Sequence, residues 1–159
     1  MRAKVIDQAT ERTWALVFAA GDEVVSTLQA FAAQTRLTAA RFTAIGAFRD
    51  ATLGYFDWQT KRYERIPVRE QVEVLALVGD IALEDDKPKI HAHVVVGKRD
   101  GTAHGGHLLE AYVRPTLEVM LTESPTHLRR TFHPESGLAL IDVAAGATGE
   151  TEVPHADDR

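Results

Sequence analysis

Between Ile90 and Leu109 the chain reads IHAHVVVGKRDGTAHGGHLL, and this stretch leaves little freedom in how the chain can fold. His91-Ala92-His93-Val94-Val95-Val96 alternates and is rich in β-branched residues, the pattern of a strand. Lys98-Arg99-Asp100-Gly101 follows, and Asp-Gly is a strong signal for a tight hairpin turn. From Thr102 the chain is expected to return alongside the strand it has just left. A molecule holding this hairpin must build a sheet with antiparallel neighbours.

Four of the seven histidines lie in the same stretch. Strand side chains alternate faces, so His91 and His93 share one face with Cα atoms about 6–7 Å apart. Two imidazoles so placed can converge on one ion. The returning strand carries His104, Gly105, Gly106 and His107. His104 and His107 fall on opposite faces unless a bulge intervenes, so at most one joins the pair. His107 is the choice, because Gly105-Gly106 before it allows a bulge or a close backbone approach. Three neutral imidazoles with a fourth position open are the ligand set of a catalytic zinc site. The expectation is one zinc per chain on His91, His93 and His107, at about 2.0–2.1 Å. A His-x-His pair by itself is more often two polar residues on a half-exposed sheet face, and it is the third histidine that strengthens the metal reading.

The rest of the chain reads as an α+β domain over residues 1–143, a largely antiparallel or mixed sheet with one main amphipathic helix. A strand is expected at Thr13–Ala19. Gly21-Asp22-Glu23 then caps a helix whose apolar stripe is Val24, Leu28, Phe31 and Ala32. Strands follow at Arg41–Phe48, Ala51–Trp58, Arg62–Val68 and Gln71–Leu83. In the last of these Val72, Val74, Ala76 and Val78 share one face, while Leu75 and Leu77 take the other. A strand apolar on both faces is buried on both, within the domain or between subunits. Leu108–Ala111 reads as a short helical turn, and Pro115 opens a further strand over Thr116–Leu121. Arg129–His133 pairs on an edge, and Gly137–Val143 is the last core strand. From Ala144 the composition turns to Ala, Gly, Thr and acids, so 144–159 is expected to be a disordered tail. His155 falls within it, and His127 and His133 read as ordinary surface residues.

Composition bounds the function. There is no cysteine, so thiolate ligands and disulfides are excluded and any metal must be held by nitrogen and oxygen. No stretch is long and apolar enough for a membrane span or a signal peptide, which makes the cytoplasm the default. Net charge is −5, and Lys61-Arg62, Lys98-Arg99 and Arg129-Arg130 are short, separated pairs. Duplex binding by such a chain is not expected. Glu84-Asp85-Asp86 lacks the alternating ligands and glycine of a calcium loop.

His91-Ala92-His93 and the run Gly105-Gly106-His107-Leu108-Leu109-Glu110 resemble the prokaryotic branch of the PPC family, the plants and prokaryotes conserved domain. Gly21-Asp22-Glu23, Ile45-Gly46-Ala47, Asp50 to Asp57 and Val72 to Ile81 fit the same pattern, which covers about residues 10–143. The resemblance implies an α+β domain, usually a homotrimer, in which the three matching histidines bind a metal. Plant members carry a DNA-binding AT-hook beside this domain, and prokaryotic members commonly lack it and are largely unassigned in activity. The chain departs from the pattern at His104, where an apolar residue is ordinary. No Arg-Gly-Arg-Pro hook occurs in it. The implied fold also looks like that of acetolactate decarboxylase, a zinc enzyme whose ligands include a His-x-His pair and a later histidine.

Two functional classes follow. One is a zinc-dependent lyase or hydrolase acting on a small carbonyl or carboxylate compound bound at the metal. In it Glu110 would be the acid/base, and Arg49 and Arg114 would bind an anionic substrate. The other is a non-catalytic trimeric module associated with DNA or with a DNA-binding partner. No residue pattern names a substrate.

Overall fold

The computed structural model describes residues 1–7, 11–124 and 127–143. Strand β1 (Arg2–Asp7) pairs antiparallel with β2 (Thr13–Ala19), which pairs with the C-terminal half of β7 (Ala103–Glu123). The chain between them forms α1 (Val24–Thr35), β3 (Ala39–Asp57), β4 (Arg62–Val68), β5 (Val72–Glu84) and β6 (Lys87–Gly97). A final hairpin, β8 (Arg129–His133) with β9 (Leu138–Asp142), completes the described elements. The expected tail, 144–159, lies outside the described residues, and His155 with it.

Glu23 caps the helix by accepting from the backbone N–H groups of Val25 and Ser26, at 3.1 and 2.6 Å. Its stripe, Val24, Leu28, Phe31 and Ala32, is buried as the spacing requires. Arg36 ends the helix in a left-handed conformation, φ 56°, and its N–H returns to Ala33. The helix packs on β6 and β7, and its Gln29 donates to the Pro88 carbonyl.

The sheet curls on itself. β3 pairs with β5, β5 with β6, β6 with β7, and β7 again with β3, so these four strands close a ring of pairings. The core fills from the inner faces: Phe42, Ala44 and Leu53 of β3, Leu77 and Ile81 of β5, Val94 and Val96 of β6, Leu117 and Leu121 of β7.

Three expectations are corrected here. Arg41–Phe48 and Ala51–Asp57 are parts of one 19-residue strand, interrupted by register shifts around Phe48, and Trp58 falls in the turn that follows. Leu108–Ala111 is not helical but extended, within a single 21-residue strand that runs on through Pro115. A proline fits there because two extra residues of β7 bulge out between the pairs Phe48–Val113 and Gly46–Leu117, where no ladder N–H is required. Gly46 faces this irregularity with φ 150°, and a Cβ on it would come within 2.8 Å of the Leu117 Cα.

The third correction concerns β5. Its faces do not alternate strictly, because one extra residue sits between Val74 and Leu77 relative to both neighbours. Val72 and Val74 point inward, and beyond the bulge so do Leu77 and Ile81. Leu75 and Val78 are more than half exposed. The strand is therefore apolar on an outer face as well, but with a different membership from the one alternation implies.

Candidate metal centre

Ile90, Ala92, Val94 and Val96 of β6 turn into the core, which leaves His91 and His93 together on the other face. The hairpin turn is the one its sequence specifies. Gly101 N–H donates to the Lys98 carbonyl, and Asp100 accepts from the Thr102 backbone and hydroxyl. The register that results sets His93 directly opposite His107, and Val96 opposite His104. No bulge lies between His104 and His107 on this side, so parity alone selects His107, and His104 stays exposed. The glycines serve close approach instead: a Cβ on Gly106 would come within 2.8 Å of the Gly54 carbonyl. The irregularity in β7 comes two residues after His107, at Leu109, where it faces β3.

The ligand nitrogens of His91, His93 and His107 all lie within 4.8 Å of one another. Ring centroids are 5.2 to 5.4 Å apart, with His91 and His107 stacked and His93 edge-on to both. Burial makes the His107 imidazolium costly, and the neighbouring His91 and His93 add repulsion; its pKa falls to about 4. That of His93 is lowered by burial and then by His91. Both rings are neutral at pH 7, with lone pairs free to donate. The Nδ1 atom of His107 is buried and has no hydrogen-bond partner among the described residues.

Around the triad the fold adds three residues that the sequence did not single out. Tyr63 of β4 stacks on His107 at 4.6 Å between centroids. Asp80 of β5 pairs with His91 in register, its Oδ2 3.4 Å from His91 Nδ1. Arg130 of β8 donates to the other Asp80 oxygen at 2.5 Å. Burial alone would raise the Asp80 pKa, but the hydrogen bonds and charges of His91 and Arg130 outweigh it and hold the carboxylate below its usual range. The signal for Asp80 was present: it is a carboxylate inside an apolar strand. A cavity of about 700 Å³ opens beside His91 and His107, bounded by Tyr63, Arg130, Phe132, Leu138 and Leu140.

The other expected site residues lie elsewhere. Glu110 accepts from the Tyr112 hydroxyl at 2.9 Å, faces Arg65 at 3.5 Å, and lines a separate groove beside α1. Arg49 pairs with Asp50 and lies over the Tyr112 ring. It borders another groove, of about 680 Å³, together with Arg65 and Arg69. Arg114 is exposed, beside the cis Arg114–Pro115 peptide, and is not among the residues bounding the histidine cavity. The turn Glu84-Asp85-Asp86 contributes two carboxylates to the cavity mouth, and Asp86 pairs with Arg129.

The family model described as the Plants and Prokaryotes Conserved (PCC) domain matches residues 6–125. A crystal structure of a plant- and prokaryote-conserved protein from Pyrococcus horikoshii is 31% identical, with a TM-score of 0.78 over 82% of this chain and 91% of that one. A metal-containing protein from Archaeoglobus fulgidus is 33% identical, with a TM-score of 0.76 over 88% and 96%. A protein from Bacteroides thetaiotaomicron, described as a candidate DNA-binding protein, is 28% identical, with a TM-score of 0.79 over 88% and 96%. No curated protein matches the chain.

Proposed function

The chain belongs to the Plants and Prokaryotes Conserved family, and we propose that in it His91, His93 and His107 hold one zinc ion per chain, open on one side to the adjoining cavity. The observation that carries this reading is the convergence of three ligand nitrogens within 4.8 Å. The donor set fits: neutral imidazoles suit zinc, and a three-histidine set leaves a position for a ligand. The unpartnered, buried Nδ1 of His107 is what a site lacking one of its members would leave. The similarity to a metal-containing relative from Archaeoglobus fulgidus supports it as well.

The activity that suits this centre is that of a cytoplasmic lyase or hydrolase acting on a small carbonyl or carboxylate compound. When bound, zinc supplies a Lewis acid at the cavity wall. Phe132, Leu138 and Leu140 give the cavity an apolar wall on one side, and Lys89, Arg130, Glu84 and Asp85 set charges of both signs around it. Tyr63 fixes the plane of His107 by stacking. Glu110, Arg49 and Arg114 take no part in this reading, because the first two are engaged elsewhere and Arg114 lies outside the cavity.

The protein works as a homotrimer on this reading. Ile45, Leu75, Val78, Val95 and Met120 are exposed, and strand register gathers them: Thr43 pairs with both Val78 and Met120, and Ala76 with Val95. Burying an apolar surface of this kind is the ordinary driving force for association. A second reading, a DNA-associated module, draws on the description of the Bacteroides relative and on the groove bordered by Arg49, Arg65 and Arg69.

Metal analysis of protein purified without a histidine tag tests the centre. About one zinc per chain is expected, lost in His93→Ala and kept in His104→Ala. Protein that takes up no zinc at neutral pH, or loses it only in His104→Ala, overturns the assignment.

A further inference from the structure

The geometry points to Asp80 as the residue that chooses which nitrogen His91 presents to the metal, and to Arg130 as the link that ties the β8–β9 hairpin to that choice. This rests on the zinc reading above and deepens it. Asp80 stands opposite His91 in the β5–β6 ladder, so backbone pairing, not side-chain chance, brings them together. One carboxylate oxygen lies 3.4 Å from His91 Nδ1. The other accepts from Arg130 Nη2 at 2.5 Å. With Nδ1 turned to a carboxylate, Nδ1 carries the proton and Nε2 is the nitrogen left to donate to a metal.

Arg130 holds this arrangement in place from the far side. Its side chain is only 7% exposed, so the guanidinium has given up most of its water. Such a charge must be paired, and Asp80 is its carboxylate. Nη1 also donates to the Ala139 carbonyl at 3.3 Å, which locks the arginine across its own hairpin. Further ties from that hairpin and the residue before it to the rest of the fold are the Leu83–Arg129 bridge, the bonds from Leu83 N–H to the Leu128 carbonyl and from Leu128 N–H to the Thr38 carbonyl, and the exposed Arg129–Asp86 pair. The same hairpin carries Phe132, Leu138 and Leu140, which bound the cavity. A chain of contacts thus runs from the metal-facing ring through Asp80 and Arg130 to the wall a ligand would meet. Zinc that fixes His91 fixes Asp80, and Asp80 fixes the hairpin.

Asp80 and Arg130 are therefore positioning residues, and three readouts separate that role from a merely structural one. In ¹⁵N spectra of zinc-loaded wild type, His91 should be protonated at Nδ1 and ligated through Nε2; ligation through Nδ1 overturns the inference. Zinc affinity, measured by competition with a chromogenic chelator, should fall about 10- to 100-fold in Asp80→Asn. Arg130→Lys keeps the charge but loses the two-armed contact, and should fall by less. Amide exchange in β8–β9 should slow when zinc is added to wild type, and this slowing should vanish in Asp80→Asn. Folded variants that both keep wild-type zinc affinity overturn the inference, and should Asp80→Asn fail to fold, Arg130→Lys and the wild-type spectrum still decide it. Wild-type protein that binds no zinc sinks the metal reading instead, a result distinct from either.

Discussion

Three imidazoles crowded on one sheet face cannot all carry charge, and the protein's response to acid should show it. In metal-free protein the His107 ring should titrate near pH 4, well below the ordinary 6.5, because burial and its histidine neighbours oppose protonation. Above about pH 6.5 both the folded and the unfolded chain are neutral at this ring, and its contribution to stability is complete. Between about 6.5 and 4 the unfolded chain takes the proton and the folded one does not, so stability falls as pH falls. Urea unfolding of metal-free protein from pH 7 to 4 checks the sign, and His107→Gln should flatten the slope. A constant midpoint across that range in wild type would refute it. A second residue with a measurable role is Gly79, whose added Cβ would meet the Phe42 ring and stand 2.5 Å from the His91 carbonyl. Gly79→Ala should cost about 1–3 kcal/mol of stability by overpacking. Because the clash reaches the His91 backbone, zinc affinity should fall with it; unaltered melting and zinc binding would show that the backbone accommodates the methyl.

Elements were legible where one periodicity ran unbroken and illegible where it reset. Thr13–Ala19 and Arg62–Val68 could be bounded at both ends from sequence, and the helix stripe fixed its own buried face. The His91–His93 pair was equally plain, since a period of two cannot hide. β3 and β7 were each divided in reading because bulges near Phe48 and Pro115 interrupt alternation without ending the strand. Bulges depend on what the neighbouring strand does, and one chain segment does not record that. For the same reason Tyr63, Asp80 and Arg130 escaped notice: each reaches the histidines through pairing or packing with distant sequence. The β5 bulge offers a direct test of parity. Deleting Leu75 leaves Val74 and Leu77 two residues apart and keeps every inward residue inward, so this variant should fold. Deleting Val78 sends Ile81 outward and Asp80 into the core, and should abolish cooperative unfolding. Equal damage from both deletions, seen by thermal melts, would contradict the register described here.

At the scale of the whole molecule, the exposed apolar face of Ile45, Leu75, Val78, Val95 and Met120 should lie between subunits. Light scattering at micromolar concentration should return about three times the 17.5 kDa chain mass, and Val78→Glu should lower it. A monomer mass for the wild type would end the trimer proposal. DNA affinity should be poor, since 18 basic residues are set against 23 acidic ones. Titration of labelled duplexes at about 150 mM salt should give dissociation constants no tighter than about 10⁻⁶ M. Submicromolar binding abolished by Arg65→Ala with Arg69→Ala would favour the DNA-associated reading. The ring of pairings among β3, β5, β6 and β7 carries one more consequence. β6 pairs with β5 along its whole length and with β7 from His93 to Gly97, so His91 is fixed by β5, and His93 and His107 face each other across the β6–β7 ladder. A zinc finger must fold in order to bind, whereas this scaffold has completed that work beforehand. Stripping zinc with a chelator should leave the far-UV circular dichroism unchanged. On the zinc proposal, an ion removed in this way should be taken up again on adding zinc, with no refolding step between the two states.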